Sequence, residues 1–157
     1  MSDLTHIDKN GNVKMVDVSD KHITHRVAIA QSKVILPEII IDKFSNDDIQ
    51  TRKGSVIQTA IIAGIMAAKK TSELIPLCHQ LPLTNCSIEI KRNGNELIIH
   101  CTVSTDAKTG VEMEALTGAS IAALTIYDMC KALSHDIVIK ETMLVKKSGG
   151  KNDFECK

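Results

Sequence analysis

The chain has 157 residues, with 19 basic and 19 acidic side chains, no net charge, and Phe44, Tyr127 and Phe154 as its only aromatics. Without a basic field or stacking platforms, nucleic acid is not an expected partner. The longest nearly apolar run, residues 60–68, falls far short of the roughly 20 residues that span a bilayer, so no membrane contact is expected. The polar first residues lack a secretory pattern, and five cysteines without a C-x-x-C pair suit a reducing, cytoplasmic setting.

The length predicts one domain, 1–157. Residues 1–25 read as a polar N-terminal arm with a turn at Asn10-Gly11-Asn12. Val27, Ile29, Val34 and Leu36 predict a strand ending near Pro37, its alternation broken at Gln31 to Lys33. After the polar stretch Ser45 to Arg52, the spacing of Val56, Ile57, Ala60, Ile61, Gly64, Ile65 and Ala68 predicts a helix with Ser55 as its N-cap. Pro76 and Pro82 bracket a loop, Leu77 to Leu81, that is too punctuated for a helix.

Residues 87–91 and 96–103 predict two strands joined as a hairpin at Asn93-Gly94. Steps of three and four through Val111, Ala115, Gly118, Ala122, Ile126, Met129 and Leu133 predict a long second helix. Ile137, Ile139, Met143 and Val145 predict a last strand, and residues 148–157 a flexible Gly/Lys-rich tail. The expected fold class is therefore α+β, a ferredoxin-like βαββαβ order with an antiparallel sheet and two helices on one face.

Several clusters carry potential chemistry. Lys69 and Lys70 end the first helix just before Cys78 and His79, a grouping able to grip a polyanion and offer a proton donor. The same lysines also suit a helix C-terminus, and His79 a single structural bond. Glu112 and Glu114 open the second helix, where its dipole favours carboxylates in any case. Asp128 and Lys131, three apart, project to one side of that helix, as a simple salt bridge or as an acid/base unit. The histidines and cysteines show no zinc spacing, so neither metal nor other cofactor is expected.

Taken together, Ile-Pro-Leu-Cys-His at 75–79, Lys-Thr-Gly-Val-Glu-Met-Glu-Ala-Leu at 108–116 and Tyr-Asp-Met-Cys-Lys at 127–131 resemble the cyclic pyranopterin monophosphate synthase family, also called molybdenum cofactor biosynthesis protein C. Similar segments at 15–19, 53–54, 63–70, 124–133 and 147–151 extend the likeness over nearly the whole chain. The resemblance implies a phosphorus-oxygen lyase that converts a cyclised dihydroguanosine triphosphate to cyclic pyranopterin monophosphate and releases pyrophosphate. It also implies a ferredoxin-like fold and a hexamer of three dimers with active sites at the dimer interfaces. Carried over by position, Asp128, Lys131 and Lys53 are the catalytic residues. Leu77, Cys78, His79, Met113 and Glu114 bind substrate, and Arg26, Lys69, Glu112, Lys147 and Lys151 are further pocket residues.

The chain departs from that family pattern at Ser55, where an acidic residue is common, at Ser134-His135 in place of Asp-Lys, and at Asn152-Asp153 in place of Ser-Gly. Two other classes fit the residues alone. One is a non-catalytic module that binds a phosphorylated ligand; the other is a structural protein whose charged faces only join subunits.

Overall fold

The computed structural model describes residues 6–156; the first five residues of the arm and Lys157 of the tail lie outside the described residues. The chain runs β1 (Thr24–Ile35), α1 (Glu38–Ile41), β2 (Phe44–Ser45), β3 (Asp48–Thr51), β4 (Gly54–Ser55), α2 (Val56–Lys69) and α3 (Thr71–Leu74). It continues through β5 (Leu83–Asn93), β6 (Glu96–Ala107), α4 (Glu112–Cys130), β7 (Val138–Ser148) and β8 (Phe154–Glu155). An antiparallel sheet with strand order β5-β6-β1-β7-β8 and four helices make this an α+β chain; β2, β3 and β4 form a second, three-stranded sheet. Among the described residues no helix is long and apolar enough to cross a membrane.

One face of the long sheet is dry. It consists of Ala28, Ala30, Ser32 and Val34 of β1 and Leu97, Ile99, Cys101 and Val103 of β6, all fully buried or nearly so. This reverses the parity that Val27 and Ile29 suggested, since both lie on the half-buried opposite face. β1 runs on through Gln31 to Lys33, where its pairing with β7 shifts register; Ser32 turns inward and its hydroxyl shares a 2.9 Å hydrogen bond with that of Thr142, so a polar residue sits in the core fully satisfied.

Both long helices lie on that face and touch at their glycines. A Cβ on Gly64 would come within 2.7 Å of the Gly118 carbonyl, and one on Gly118 within 2.6 Å of the Cys101 sulfur. The small stripe through Ala60, Gly64, Ala115, Gly118 and Ala122 thus lets α2 and α4 pack backbone to backbone. Ser55 caps α2 as expected, accepting from the Gln58 amide at 3.0 Å. The hairpin turn itself is Gly94-Asn95, with Asn93 paired to Glu96 and Gly94 at φ +61°, the position a type II′ turn reserves for glycine.

Two features were not expected from the sequence. The polar stretch 45–52 folds into β2 and β3 around Asn46 and Asp47, both at positive φ, a turn chemistry that Asn and Asp tolerate. The last long strand also runs on to Ser148, so Lys147 is held on β7. The segment read as a tail turns at Gly149 and returns as β8, pairing Lys147 with Phe154. Gly149 has φ +83°, and a Cβ there would fall 1.8 Å from the His25 carbonyl, so only glycine fits this turn.

Candidate active site

All the predicted site residues except Lys69 fall into two groups at opposite ends of α4. At its C-terminal end Asp128 stands between two ammonium groups, Lys131 Nζ at 2.8 Å from Oδ1 and Lys53 Nζ at 3.0 Å from Oδ2. Lys131 is the residue that caps the C-terminus of the same helix, and Lys53 is supplied by the turn between β3 and β4. The hydrogen bond from Lys131, then that from Lys53, holds the Asp128 carboxyl below its ordinary value, while Asp128 raises Lys131. At neutral pH Asp128 is therefore an acceptor and Lys131 a charged donor. The side chains of all three are at least half exposed on an open surface.

The N-terminal end of α4 forms the wall between two adjoining cavities. The first, of about 280 Å³, is lined by Arg26, Glu112, Lys147, Lys151 and Lys21 among others. Two of its cations are held in place before any ligand arrives. Arg26 spends Nε on the Ala107 carbonyl (3.1 Å) and Nη2 on that of Lys108 (3.2 Å), and Lys147 donates to Glu112 at 3.0 Å. Gly150 faces the remaining guanidinium nitrogen, 2.9 Å from where a Cβ would stand.

The second cavity, of about 390 Å³, is lined by Leu77, Cys78, His79, Met113 and Glu114, and shares Lys21, Thr109, Gly110 and Glu112 with the first. His79 Nε2 lies 2.7 Å from the Val16 carbonyl; a carbonyl only accepts, so Nε2 carries the proton and, in the neutral ring, Nδ1 is left as the acceptor. Burial pushes the Cys78 thiol up, with Glu114 adding to it, which keeps the sulfur protonated and unsuited to attack.

Glu114 is 4% exposed, and its pKa is raised to about 7, first by desolvation and further by the neighbouring charge of Glu112. A folded-state value above the ordinary 4.5 means the native chain holds the proton longer than the unfolded one, so stability falls as pH rises from about 4.5 to about 7. The variant Glu114→Gln is therefore expected to gain stability over the parent across that window, approaching about 3 kcal/mol before levelling off. Denaturant melts at stepped pH check this; a difference that is flat with pH would contradict it.

Sequence reasoning missed part of this wall. Residues 16–21 of the arm lie along the second cavity, pinned by His79 and by Lys108, whose ammonium donates to the Ser19 carbonyl at 2.6 Å. Lys21, which lines both cavities, was not singled out; its only signal was a cation close to the resembling segment 15–19. Lys69 stands apart in a third cavity of about 410 Å³, with Leu81 between it and the second. Among the described residues no group of three or more His, Cys, Asp or Glu side chains is placed to hold a metal.

Glu112 and Asp128, sixteen residues apart on one helix, are separated by roughly 24 Å at the α-helical rise. Within one chain, then, the charged trio and the two cavities do not form a single pocket.

Comparison with known proteins places these residues in a family context. The sequence pattern of the MoaC family matches residues 15–150, taking in the arm from Met15 onward. A cyclic pyranopterin monophosphate synthase of Staphylococcus epidermidis (strain ATCC 12228 / FDA PCI 1200) is 54% identical over 163 aligned positions, covering 100% of this chain and 99% of that one. One from Xanthomonas oryzae pv. oryzae (strain MAFF 311018) is 53% identical over 152, covering 96% and 92%. A molybdenum cofactor biosynthesis bifunctional protein of Synechocystis sp. (strain ATCC 27184 / PCC 6803 / Kazusa) is 53% identical over 154 residues, covering 95% of this chain and 44% of that longer protein.

Proposed function

Because the chain belongs to the MoaC family, we propose that it carries out the cyclic pyranopterin monophosphate synthase reaction of molybdenum cofactor biosynthesis. It takes (8S)-3',8-cyclo-7,8-dihydroguanosine 5'-triphosphate, rearranges its rings and closes a cyclic phosphate with release of pyrophosphate. As a bond between phosphorus and oxygen is broken without water, the enzyme is a phosphorus-oxygen lyase, and we place it in the cytoplasm.

The observation that carries the reading is the cationic cavity of Arg26, Lys147, Lys151 and Lys21, the first two held in place by hydrogen bonds, beside a more apolar one whose lining includes Glu114. The first suits the triphosphate, whose departing pyrophosphate is stabilised by fixed cations. The second suits the guanine-derived ring. With a single tyrosine and two phenylalanines in the whole chain, hydrogen bonds and not stacking hold that ring. His79 offers a single acceptor there through Nδ1, because Val16 occupies the other nitrogen.

Asp128, Lys131 and Lys53 supply proton transfer in this reading, Asp128 accepting and the lysines donating. A proton passes only over about 2.6–3.2 Å, so a trio roughly 24 Å from the cavities serves them only when a second copy brings its own trio there. That supports an oligomer with sites shared between subunits, which we take to be a hexamer of three dimers. The strand order β5-β6-β1-β7, with α2 and α4 as its crossovers, likewise supports a ferredoxin-like single domain.

Incubation of the purified protein with the cyclised triphosphate tests the proposal. Pyrophosphate and the pterin product are expected to appear in equal amounts. Binding without either product would turn the reading toward a ligand-binding module.

A further inference from the structure

Lys53 is an exposed side chain at the tip of a short ribbon, and something must hold that tip against Asp128. The ribbon pairs only Thr51 with Gly54 and Gln50 with Ser55. The neighbouring β2 pairs only with Asp48 and Ile49, so the end that carries Lys53 is two-stranded, and ribbons of that size are marginal on their own. Within the turn, the Thr51 hydroxyl accepts from the Lys53 amide at 3.1 Å and donates to the Gly54 carbonyl at 3.1 Å, while Gly54 takes φ +107°. These bonds shape the turn but do not fix it to the body of the protein.

The fastening lies at the base of the ribbon, in Asp48. Its Oδ1 accepts from the Ile49 amide at 2.7 Å and from the Ile57 amide at 3.0 Å. Its Oδ2 accepts a short hydrogen bond from the Ser55 hydroxyl and a longer one, 3.3 Å, from the Gln50 side chain. Ile57 belongs to the first turn of α2, where amides have no partner within the helix. The Ser55 hydroxyl, whose proton goes to Asp48, accepts the Gln58 amide with its lone pair. One half-buried carboxylate thus ties the start of β3, the end of β4 and the first turn of α2 together. The residues between those tie points include Lys53.

We propose that Asp48 is a positioning residue for Lys53, locking the β3–β4 turn onto the N-terminus of α2 so that the Lys53 ammonium is presented to Asp128. The inference rests on the reading of Lys53 as a catalytic lysine. Asp48 itself does not meet the trio: its partners are Ser55, Gln50 and the backbone. It acts only through where it puts the turn. A displacement of about 1 Å in a reacting group can cost on the order of a hundredfold in rate, so a loosened turn has a kinetic consequence even in a chain that stays folded.

The test measures steady-state pyrophosphate release by four full-length chains: the parent, Asp48→Ala, Lys53→Ala and the double variant. Asp48→Ala is expected to lower kcat by roughly tenfold to a hundredfold with KM within about twofold, because the cavities that bind substrate are built from other elements. Placed on Lys53→Ala, the same change is expected to add almost nothing, since there is no longer a lysine to position. A further loss of equal size in the double variant would overturn the inference and make Asp48 a general stability residue. So would normal kcat in a folded Asp48→Ala protein when Lys53→Ala is inactive. Normal turnover by Lys53→Ala would instead overturn the reading on which the inference rests. Should Asp48→Ala fail to fold, Ser55→Ala replaces it in the same cycle; it removes the hydroxyl clasp together with the cap on the Gln58 amide, leaves the Asp48 carboxylate on the Ile57 amide, and is expected to lower kcat severalfold, again only when Lys53 is present.

Discussion

Replacing Asp128 with Asn is expected to leave a folded chain that forms product at least about a hundredfold more slowly, the scale of a lost acid/base group. The amide keeps the shape of the side chain but removes the charge that holds Lys131 at 2.8 Å and Lys53 at 3.0 Å. With the carboxylate gone, the two ammonium groups lose the anion they share and repel one another, and no base remains in the trio. Substrate binding is expected to fall much less, since the cations that line the first cavity are Arg26, Lys147, Lys151 and Lys21.

The trio's exposure makes this a clean experiment. Ion pairs between exposed side chains contribute little to folding, so the thermal melt is expected to move hardly at all while turnover collapses. Lys131→Ala is expected to behave alike, and combining both changes to cost little more than either, as groups that act together do. Near-normal turnover by a folded Asp128→Asn chain would falsify the catalytic role.

Mixing two inactive chains is expected to restore activity. Lys147→Ala removes a cation from the first cavity, and Asp128→Asn disables the trio at the far end of α4. If each site combines the cavities of one copy with the trio of another, a mixed dimer contains one undamaged site and one doubly damaged site. Equal coexpression with random pairing makes half the dimers mixed, so about a quarter of parental activity should return. Differently tagged chains, purified for both tags, would establish that mixed oligomers exist; in a hexamer of three randomly paired dimers nearly every particle carries both tags, so the expected recovery stays at about a quarter. Doubly tagged oligomers with no activity above either parent variant would mean that each chain builds its own site, and the shared-site reading would fail.

Local order determined much of what could be read from the sequence. The apolar spacing of α2 and α4 reports which side of each helix is buried: Val111 through Met129 are buried at every predicted step, whereas Leu133, the last predicted step, lies beyond the end of α4 and is exposed. Ser55 marked the start of α2, and Asn93-Gly94 marked the hairpin to within one residue. The meeting of Asp128 and Lys131 was legible for the same reason, since three residues along a helix lie on one side. Motif likeness, not spacing, linked Lys53 to that pair.

Tertiary packing alone decided the rest, because periodicity states which face is buried and says nothing of which distant segment covers it. Lys53 reaches Asp128 across 75 residues of chain only because Asp48, within a stretch that reads as polar loop, fastens the β3–β4 turn to α2. Ala28 and Ala30, not Val27 and Ile29, lie in the core because β1 turns that side toward α4, a contact that no local pattern states. The arm's Lys21 joins the cavities through bonds from His79 and Lys108, to which no local pattern points. A rigid helix also sets the spacing that divides the site: α4 holds Glu112 and Asp128 roughly 24 Å apart, and no side chain spans that length.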